Sequence, residues 1–356
     1  MPEAAGELAM AATVRVGVLN DIGDIGADPD GIADGIEREV DLLRRSGRIA
    51  APVEFVHAYG LGLPTGTAEA IEQAFEQLLA QDVALIVGPG IGDNALVAAS
   101  LADRHRVPTI NWAGAERARS KHMFQLQSGS SHEEAATIAQ HLARCGVHRP
   151  GIVHDMSSAG TRYRKCLESE AAILGLEVVA SHGVSSGDDD AREAVAAVLA
   201  SEPDAIVYLG LGGAAPALSE ALATRNWDGE RIMTVASAPR DLGSTCEGWA
   251  HIAMHSDGNA TLRGLCESRG IQRQDIAAAA RGHDLGRLVA EGIARAHDHS
   301  REGVRAALEQ VKWLPAAQGE DGTLLGFGVQ DRGALHGRYL VVRRWTDGAS
   351  VEITRP

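Results

Sequence analysis

The chain has 356 residues, 45% hydrophobic and 23% charged, a globular composition too long for one ordinary core and suited to two α/β lobes. Its 33 lysines and arginines against 48 aspartates and glutamates leave a net charge of -15, which repels phosphate backbones and excludes nucleic acid as an expected partner. No apolar run reaches the roughly 18 residues of a membrane span, so direct membrane insertion is not expected.

The segment Met1–Thr13 carries Glu3 and Glu7 where a secretory signal has lysine or arginine. As written, the sequence is expected in the cytoplasm; a leader removed ahead of Met1 would place it in the periplasm or on the cell surface instead. Four cysteines, Cys145, Cys166, Cys246 and Cys266, show no CxxC or Cys/His metal spacing. They are expected as buried free thiols, with no metal and no cofactor.

Strand and helix patterns alternate from the start. Val14–Leu19 reads as a strand, 31–43 as an acidic amphipathic helix, Val53–His57 as a strand and Thr67–Gln81 as a helix. Val83–Val87 is a third strand ending at Gly88-Pro89-Gly90, followed by a helix over Asp93–His105, an extended Pro108–Trp112 and a strand over Phe124–Gln127. A second series opens with a helix over Glu133–Cys145, capped by Ser130 or Ser131 and with Glu133 and Glu134 in the dipole-favoured first turn. It continues through strand Gly151–His154, helix Thr161–Leu174, strand Glu177–Ser181, helix Asp190–Ser201, strand Ala205–Leu209, helix Ala214–Arg225 and strand Arg231–Val235. The segment Gly248–Met254, a helix over Ile276–Asp298 and an antiparallel tail over Thr323–Thr354, with a hairpin turn at Thr346–Ala349, complete the chain. Regular βα units of this kind give parallel sheets with right-handed crossovers and helices on both faces, so each half is expected to be a doubly wound sheet.

Eight segments in register carry a family resemblance. They are VALIVGPG from Val83, VPTINWAGA from Val107, FQLQSGSSHEEAA from Phe124, GIVHDMSSAGTRY from Gly151, PDAIVYLGLGGAA from Pro203, HDLGRLVAEGIARA from His283, GVRAALEQV from Gly303 and GTLLGFGVQDRGALHGRYLVV from Gly322. Over nearly its whole length the chain resembles the type I periplasmic binding proteins, in particular the leucine/isoleucine/valine-binding receptors of ABC transporters and their amide-sensor relatives. The resemblance implies two Rossmann-like lobes joined by three hinge strands, one from 14–127 plus 254–326 and the other from 128–253 plus 327–356. It also implies reversible capture of a small solute in the cleft between them, with closure read by an ABC permease or a regulatory protein.

The positions that follow strands are the candidate contacts. The resemblance implies that Gly90, Ile91 and Gly92 bring backbone N–H groups to the ligand, where absent side chains allow close approach. Asp93 is read as a solvated helix N-cap, or as a group opposing a ligand carboxylate if it points inward. Trp112 offers either a stacking face or core packing, and Ala113 and Gly114 stand where amino-acid receptors of the family carry hydroxyls. Ala159 replaces the family's usual aromatic ring ahead of Gly160, which enlarges the pocket, and Ser158 or Tyr163 is a candidate polar contact. Leu211, in the glycine-rich loop after Ala205–Leu209, and Ser237 are further cleft candidates; no acid stands at Ala236–Ala238 for a ligand ammonium, with Asp241 a nearby substitute. His255 and Asp257 either line the hinge or belong to a solvated loop.

These substitutions favour a ligand less polar than a free amino acid, such as an aromatic or alicyclic acid or an amide. The expected role is the substrate-binding component of an ABC-type uptake system, the alternative being a cytoplasmic sensor that regulates a partner protein. An enzyme on a similar fold is the remote alternative. No GxxxxGK[ST] loop, HExxH helix or GxGxxG fingerprint is present, and the histidines are scattered, so no catalytic residue is expected.

Overall fold

A computed structural model describes residues 12–22, 32–185, 190–237 and 245–353. The first series is β1 (Val14–Asn20), α1 (Ile32–Arg45), β2 (Val53–Tyr59), α2 (Ala68–Ala80), β3 (Leu85–Val87), α3 (Gly92–His105), β4 (Thr109–Asn111) and β5 (Met123–Gln125). The second is α4 (Ser131–Arg144), β6 (Pro150–Asp155), α5 (Ser158–Leu174), β7 (Ala180–Val184), α6 (Arg192–Leu199), β8 (Ala205–Leu209), α7 (Ala215–Thr224), β9 (Glu230–Met233) and β10 (Ala250–Ala253). After these come α8 (Ala260–Arg269), α9 (Ile276–Arg295), α10 (Arg301–Leu308), β11 (Leu314–Pro315), β12 (Leu324–Leu325), β13 (Leu335–His336), β14 (Val341–Thr346) and β15 (Ala349–Glu352).

The first sheet is wholly parallel in the order β2-β1-β3-β4-β5. The second runs β7-β6-β8-β9-β10, also parallel, and is extended by the antiparallel β14 and β15. Both sheets therefore reverse direction of growth at their first strand, between β1 and β3 and between β6 and β8. The buried strands read as continuous apolar runs because helices cover both faces: Val16, Leu85 and Ile110 pack with Ile36, Leu285 and Leu288 in one lobe, and Val153, Tyr208 and Trp249 with Val195 and Leu218 in the other.

The doubly wound class and the Thr346–Ala349 hairpin agree with expectation, as does Ser130, whose Oγ accepts from Glu133 N at 3.1 Å as the cap of α4. Two helices, α8 and α10, are not marked by the sequence periodicity, and β7 begins three residues later than Glu177, where Gly151 of β6 pairs with Ala180. Of the four free cysteines only Cys246 is buried, whereas Cys145 is exposed.

Three stretches connect the sheets. The first is Gln127–Ser130, where Gln127 exchanges hydrogen bonds with Leu335 at 2.9 and 3.2 Å. The second is Met254–Ser256, held where Gly319 N donates to Met254 O at 2.7 Å. The third follows β13: Gln125 N donates to Arg332 O and Ala334 N to Gln125 O, both at 2.8 Å, so residues 332–335 run beside β5 and the chain enters the second sheet at Val341 rather than at 327. The reason is side-chain packing the sequence does not announce, with Phe327 edge-on to Phe124 and the Arg332 guanidinium 4.5 Å from the Phe124 ring centre.

Candidate functional site

Each sheet ends at its direction-reversal point in a buried aspartate. Asp21, just past β1 and 2% exposed, accepts hydrogen bonds from Gly90 N (2.7 Å), Ile91 N (2.9 Å) and Asn94 Nδ2 (2.8 Å). Asp155, the last residue of β6 and fully buried, accepts from Tyr208 Oη (2.7 Å) and Leu211 N (2.8 Å). The two lobes thus repeat one device, a carboxylate at the end of the first strand that ties down the loop after the neighbouring strand. Glycine is required at both loops by close approach: a Cβ at Gly90 would stand 2.4 Å from Trp112 Nε1, and one at Gly210 2.3 Å from the Asp155 carboxyl carbon.

This corrects the reading of Gly90 and Ile91 as donors to a ligand, and Leu211 N, in the second lobe's candidate cleft loop, is committed in the same way. Their N–H groups serve internal carboxylates, because a buried donor without a partner costs about 1–3 kcal/mol and the nearest strand end supplies an acceptor. Burial raises the pKa of Asp21 against the lowering effect of those same donors.

Asp93 is likewise not the cap of α3, since Ile91 holds that position without a side-chain bond. It stands in the first turn and reaches across to the second lobe, accepting from Ser158 Oγ at 2.5 Å and lying 3.3 Å from Arg162 Nη2. Ser158 and Arg162 both belong to α5, whose cap is Ser157. Gly92 and Gly114 of the first lobe also face α5, with Arg162 Nη2 3.9 Å from a Cβ placed on Gly92 and Tyr163 Oη 3.7 Å from one placed on Gly114. The loops at the carboxyl edges of the two sheets therefore meet directly, and Asp93 clasps them. An exchange of this exposure contributes about 1 kcal/mol, so Asp93→Ala is expected to weaken cleft binding by about fivefold with little change in melting temperature. Calorimetric titration alongside small-angle scattering of the ligand-free protein checks this; unchanged affinity and unchanged radius would make the clasp incidental.

Trp112 follows β4, is 5% exposed, packs in the first lobe's core and lies against Gly90. The structure thus places the ring in the core, the packing reading, with its Nε1 buried and without a hydrogen-bond partner. Ala113 is fully buried with Ala95 and Ala118, its N–H on Asn111 Oδ1 at 3.1 Å and its carbonyl accepting from Gln125 Nε2 at 2.6 Å, which removes it from the candidate contacts. Ala159 is half-buried in the first turn of α5. Asp241 lies outside the described residues, and so does the side chain of Ser237.

Tyr163 sits within α5, 7% exposed, and donates to Glu134 Oε1 at 2.5 Å. Glu134 is the residue that sequence reasoning passed over as an ordinary first-turn acid. It is fully buried, accepts from Val235 N after β9 at 2.7 Å, and crowds Gly129 of the first connection. Burial pushes its pKa up to about 7 despite those two donors. Its only sequence signal is the position directly after the serine-rich connection.

His255 belongs neither to a solvated loop nor to the clasp. It bridges to Gly319 in the second connection, in the field of Arg343, Asp257 and Arg281, and burial lowers its pKa to about 4. Surface cavities of about 620 and 450 Å3 lie against α1, and one of about 1090 Å3 lies at the amino edge of the first sheet.

A family model described as "Periplasmic binding protein" matches residues 13–342. The chain belongs to the periplasmic binding protein family. A periplasmic binding protein type 1 from Bordetella pertussis Tohama I superposes with a TM-score of 0.82 at 18% identity, covering 97% of this chain and 100% of the other. A leucine binding protein from Thermotoga maritima MSB8 gives 0.79 at 16% identity, covering 96% and 98%. An ABC transporter substrate-binding protein from Desulfitobacterium hafniense in complex with Leu gives 0.76 at 18% identity, covering 96% and 100%. A search of the curated proteins found no match. At these identities the neighbours establish the fold of this periplasmic binding protein, the two-lobed type I architecture.

Proposed function

We propose that this periplasmic binding protein captures a small solute between its lobes as the binding component of an ABC-type uptake system, and that the solute is less polar than a free amino acid. The observation that carries the ligand class is the paired aspartate device. Amide donors at Gly90, Ile91 and Leu211, which would otherwise suit a ligand carboxylate, are already held by Asp21 and Asp155, and these acids near the cleft disfavour a second anion. Trp112 adds an apolar face with one unpartnered N–H, which suits an amide or another neutral carbonyl compound better than a carboxylate.

Thermal-shift screening of small amides, aromatic and alicyclic acids, leucine and valine tests the class. Neutral amides should stabilise most, and stabilisation by leucine or valine equal to the best compound would refute the assignment. Trp112→Phe then isolates the donor. Because the ring is packed in the core, the variant should lose about 1–3 kcal/mol of stability to the cavity it leaves, and about tenfold in affinity for the best amide, as expected for one hydrogen bond of about 1.4 kcal/mol. Unchanged affinity, read by calorimetry, would leave the indole with packing alone.

A further inference from the structure

We propose that His141, Cys145 and Glu230 form a binding site for a divalent ion of the zinc class, at the edge of the second lobe opposite the cleft. His141 and Cys145 lie one turn apart at the end of α4, an i, i+4 spacing that puts both on one face, and Glu230 opens β9 beneath them. The three donor atoms fall within 4.8 Å of one another. His141 Nε2 is 3.6 Å from Cys145 Sγ and 3.0 Å from Glu230 Oε1. Metal–ligand bonds of about 2.0–2.3 Å in a tetrahedron set donor atoms about 3.3–3.6 Å apart, so the site needs only small adjustments to close on an ion.

The imidazole is 6% exposed, and the carboxylate is held by Arg344, which donates to the same Glu230 Oε1 that faces His141, at 2.7 Å, and to Gly248 O at 2.9 Å. Outer partners of this kind orient ligating groups. One nitrogen, one sulfur and one oxygen donor match borderline-soft divalent ions rather than calcium or magnesium, and a water completes the four. Arg344 places one positive charge beside the ion, while the thiolate and the carboxylate supply two negative ones.

Coordination replaces the Cys145 S–H bond by an S–metal bond and releases that proton to solvent; the imidazole ligates through Nε2 with its proton on Nδ1, and nothing is oxidised or reduced. Burial and the neighbouring Glu230 raise the pKa of the thiol in the metal-free protein, so binding tightens as pH rises. The ion would fix the last turn of α4 to the start of β9, whose other end already meets α4 through Val235 and Glu134.

The test uses the full chain, stripped with chelator under reducing conditions and titrated with Co2+ and then Zn2+. One equivalent of Co2+ should give thiolate-to-metal charge-transfer absorption that Zn2+ abolishes. Cys145→Ser should lose the band, and His141→Ala should weaken Zn2+ binding by about a hundredfold. The double variant His297→Ala/His299→Ala, at two exposed histidines that follow α9, should keep both, which separates this site from adventitious binding at a surface histidine pair. Absence of the band, or its persistence in Cys145→Ser, overturns the proposal. Because Cys145 is exposed, the Cys145→Ser variant should match the wild-type circular dichroism in chelator, so a lost band reports the ligand and not the fold.

Discussion

Replacing Asp21 by alanine is expected to destabilise the first lobe by about 3 kcal/mol, with Asp155→Ala similar in the second. At Asp21 the loss leaves Gly90 N and Ile91 N without their acceptor, and Asn94 Nδ2 keeps only its 3.2 Å contact to Leu63 O. Each stranded donor costs about 1–3 kcal/mol, and the recovered desolvation of the carboxylate offsets part of the sum. At Asp155 the stranded groups are Leu211 N and the buried Tyr208 hydroxyl, which loses its acceptor and keeps only backbone donors, Ala214 N at 3.3 Å among them. Asp21→Asn, with one acceptor oxygen and an amide facing a donor, should fall between wild type and alanine.

Denaturant unfolding gives the magnitude, and hydrogen exchange at the amides of 90 and 91 gives the place, since only those near the lost carboxylate should open. A loss under about 1 kcal/mol would mean that water replaces the carboxylate, and that the loops are open enough to offer their donors to a ligand after all. The experiment therefore bears on ligand class as well as stability.

Between about pH 4.5 and 7 Glu134 contributes a fall in stability as pH rises, opposed over much of that window by the buried His251 and His255, whose lowered pKa values make stability rise with pH, so Glu134→Gln should shift the pH slope upward by removing the Glu134 share. Glu134 has its pKa raised from 4.5 to about 7 by burial, so between those values the folded protein holds a proton that the unfolded chain has released. The contribution is fully present below pH 4.5, is lost as pH rises through 7, and amounts to about 3 kcal/mol. Asp284, raised by burial from 3.8 to about 6 while it accepts from Ala317 N and Gln318 N, slopes the same way over a lower window.

Glu39, Glu230 and Glu291, whose pKa values are lowered by their ion pairs, act only below pH 4.5 and in the opposite sense. Glutamine can accept from Val235 N and donate to the Tyr163 hydroxyl, so the variant keeps the joint without the titration. Unfolding free energies at pH 5 and pH 8 decide the matter. An unchanged pH slope in Glu134→Gln would move the titration to other groups. Because Glu134 joins α4, α5 and the segment after β9 beside the first connection, its ionisation acts on the elements that the cleft closes upon.

The alternation of short apolar strands with amphipathic helices was enough to read two doubly wound sheets, because that pattern depends on neighbours within a few residues. The cap at Ser130 and the hairpin at Thr346–Ala349 were legible for the same reason. The site was less so. Glycines after β3 and β8 correctly mark places where a chain approaches closely, but the approaching groups are Trp112 and Asp155, set by packing between strands distant in sequence.

Asp21 and Asp155 look like ordinary loop acids until the strand order β1-β3 and β6-β8 places each beside the next loop. Asp93 looks like a solvated helix N-cap and Glu134 like a dipole-favoured first-turn acid, and only the meeting of the two lobes turns one into a clasp and the other into a buried joint. The sequence by itself determined the fold, whose signals are local and periodic. Which polar groups serve the scaffold and which remain for a ligand was decided by the tertiary structure alone, because a hydrogen-bond partner is a matter of distance in space and a buried donor takes whichever acceptor packing brings to it.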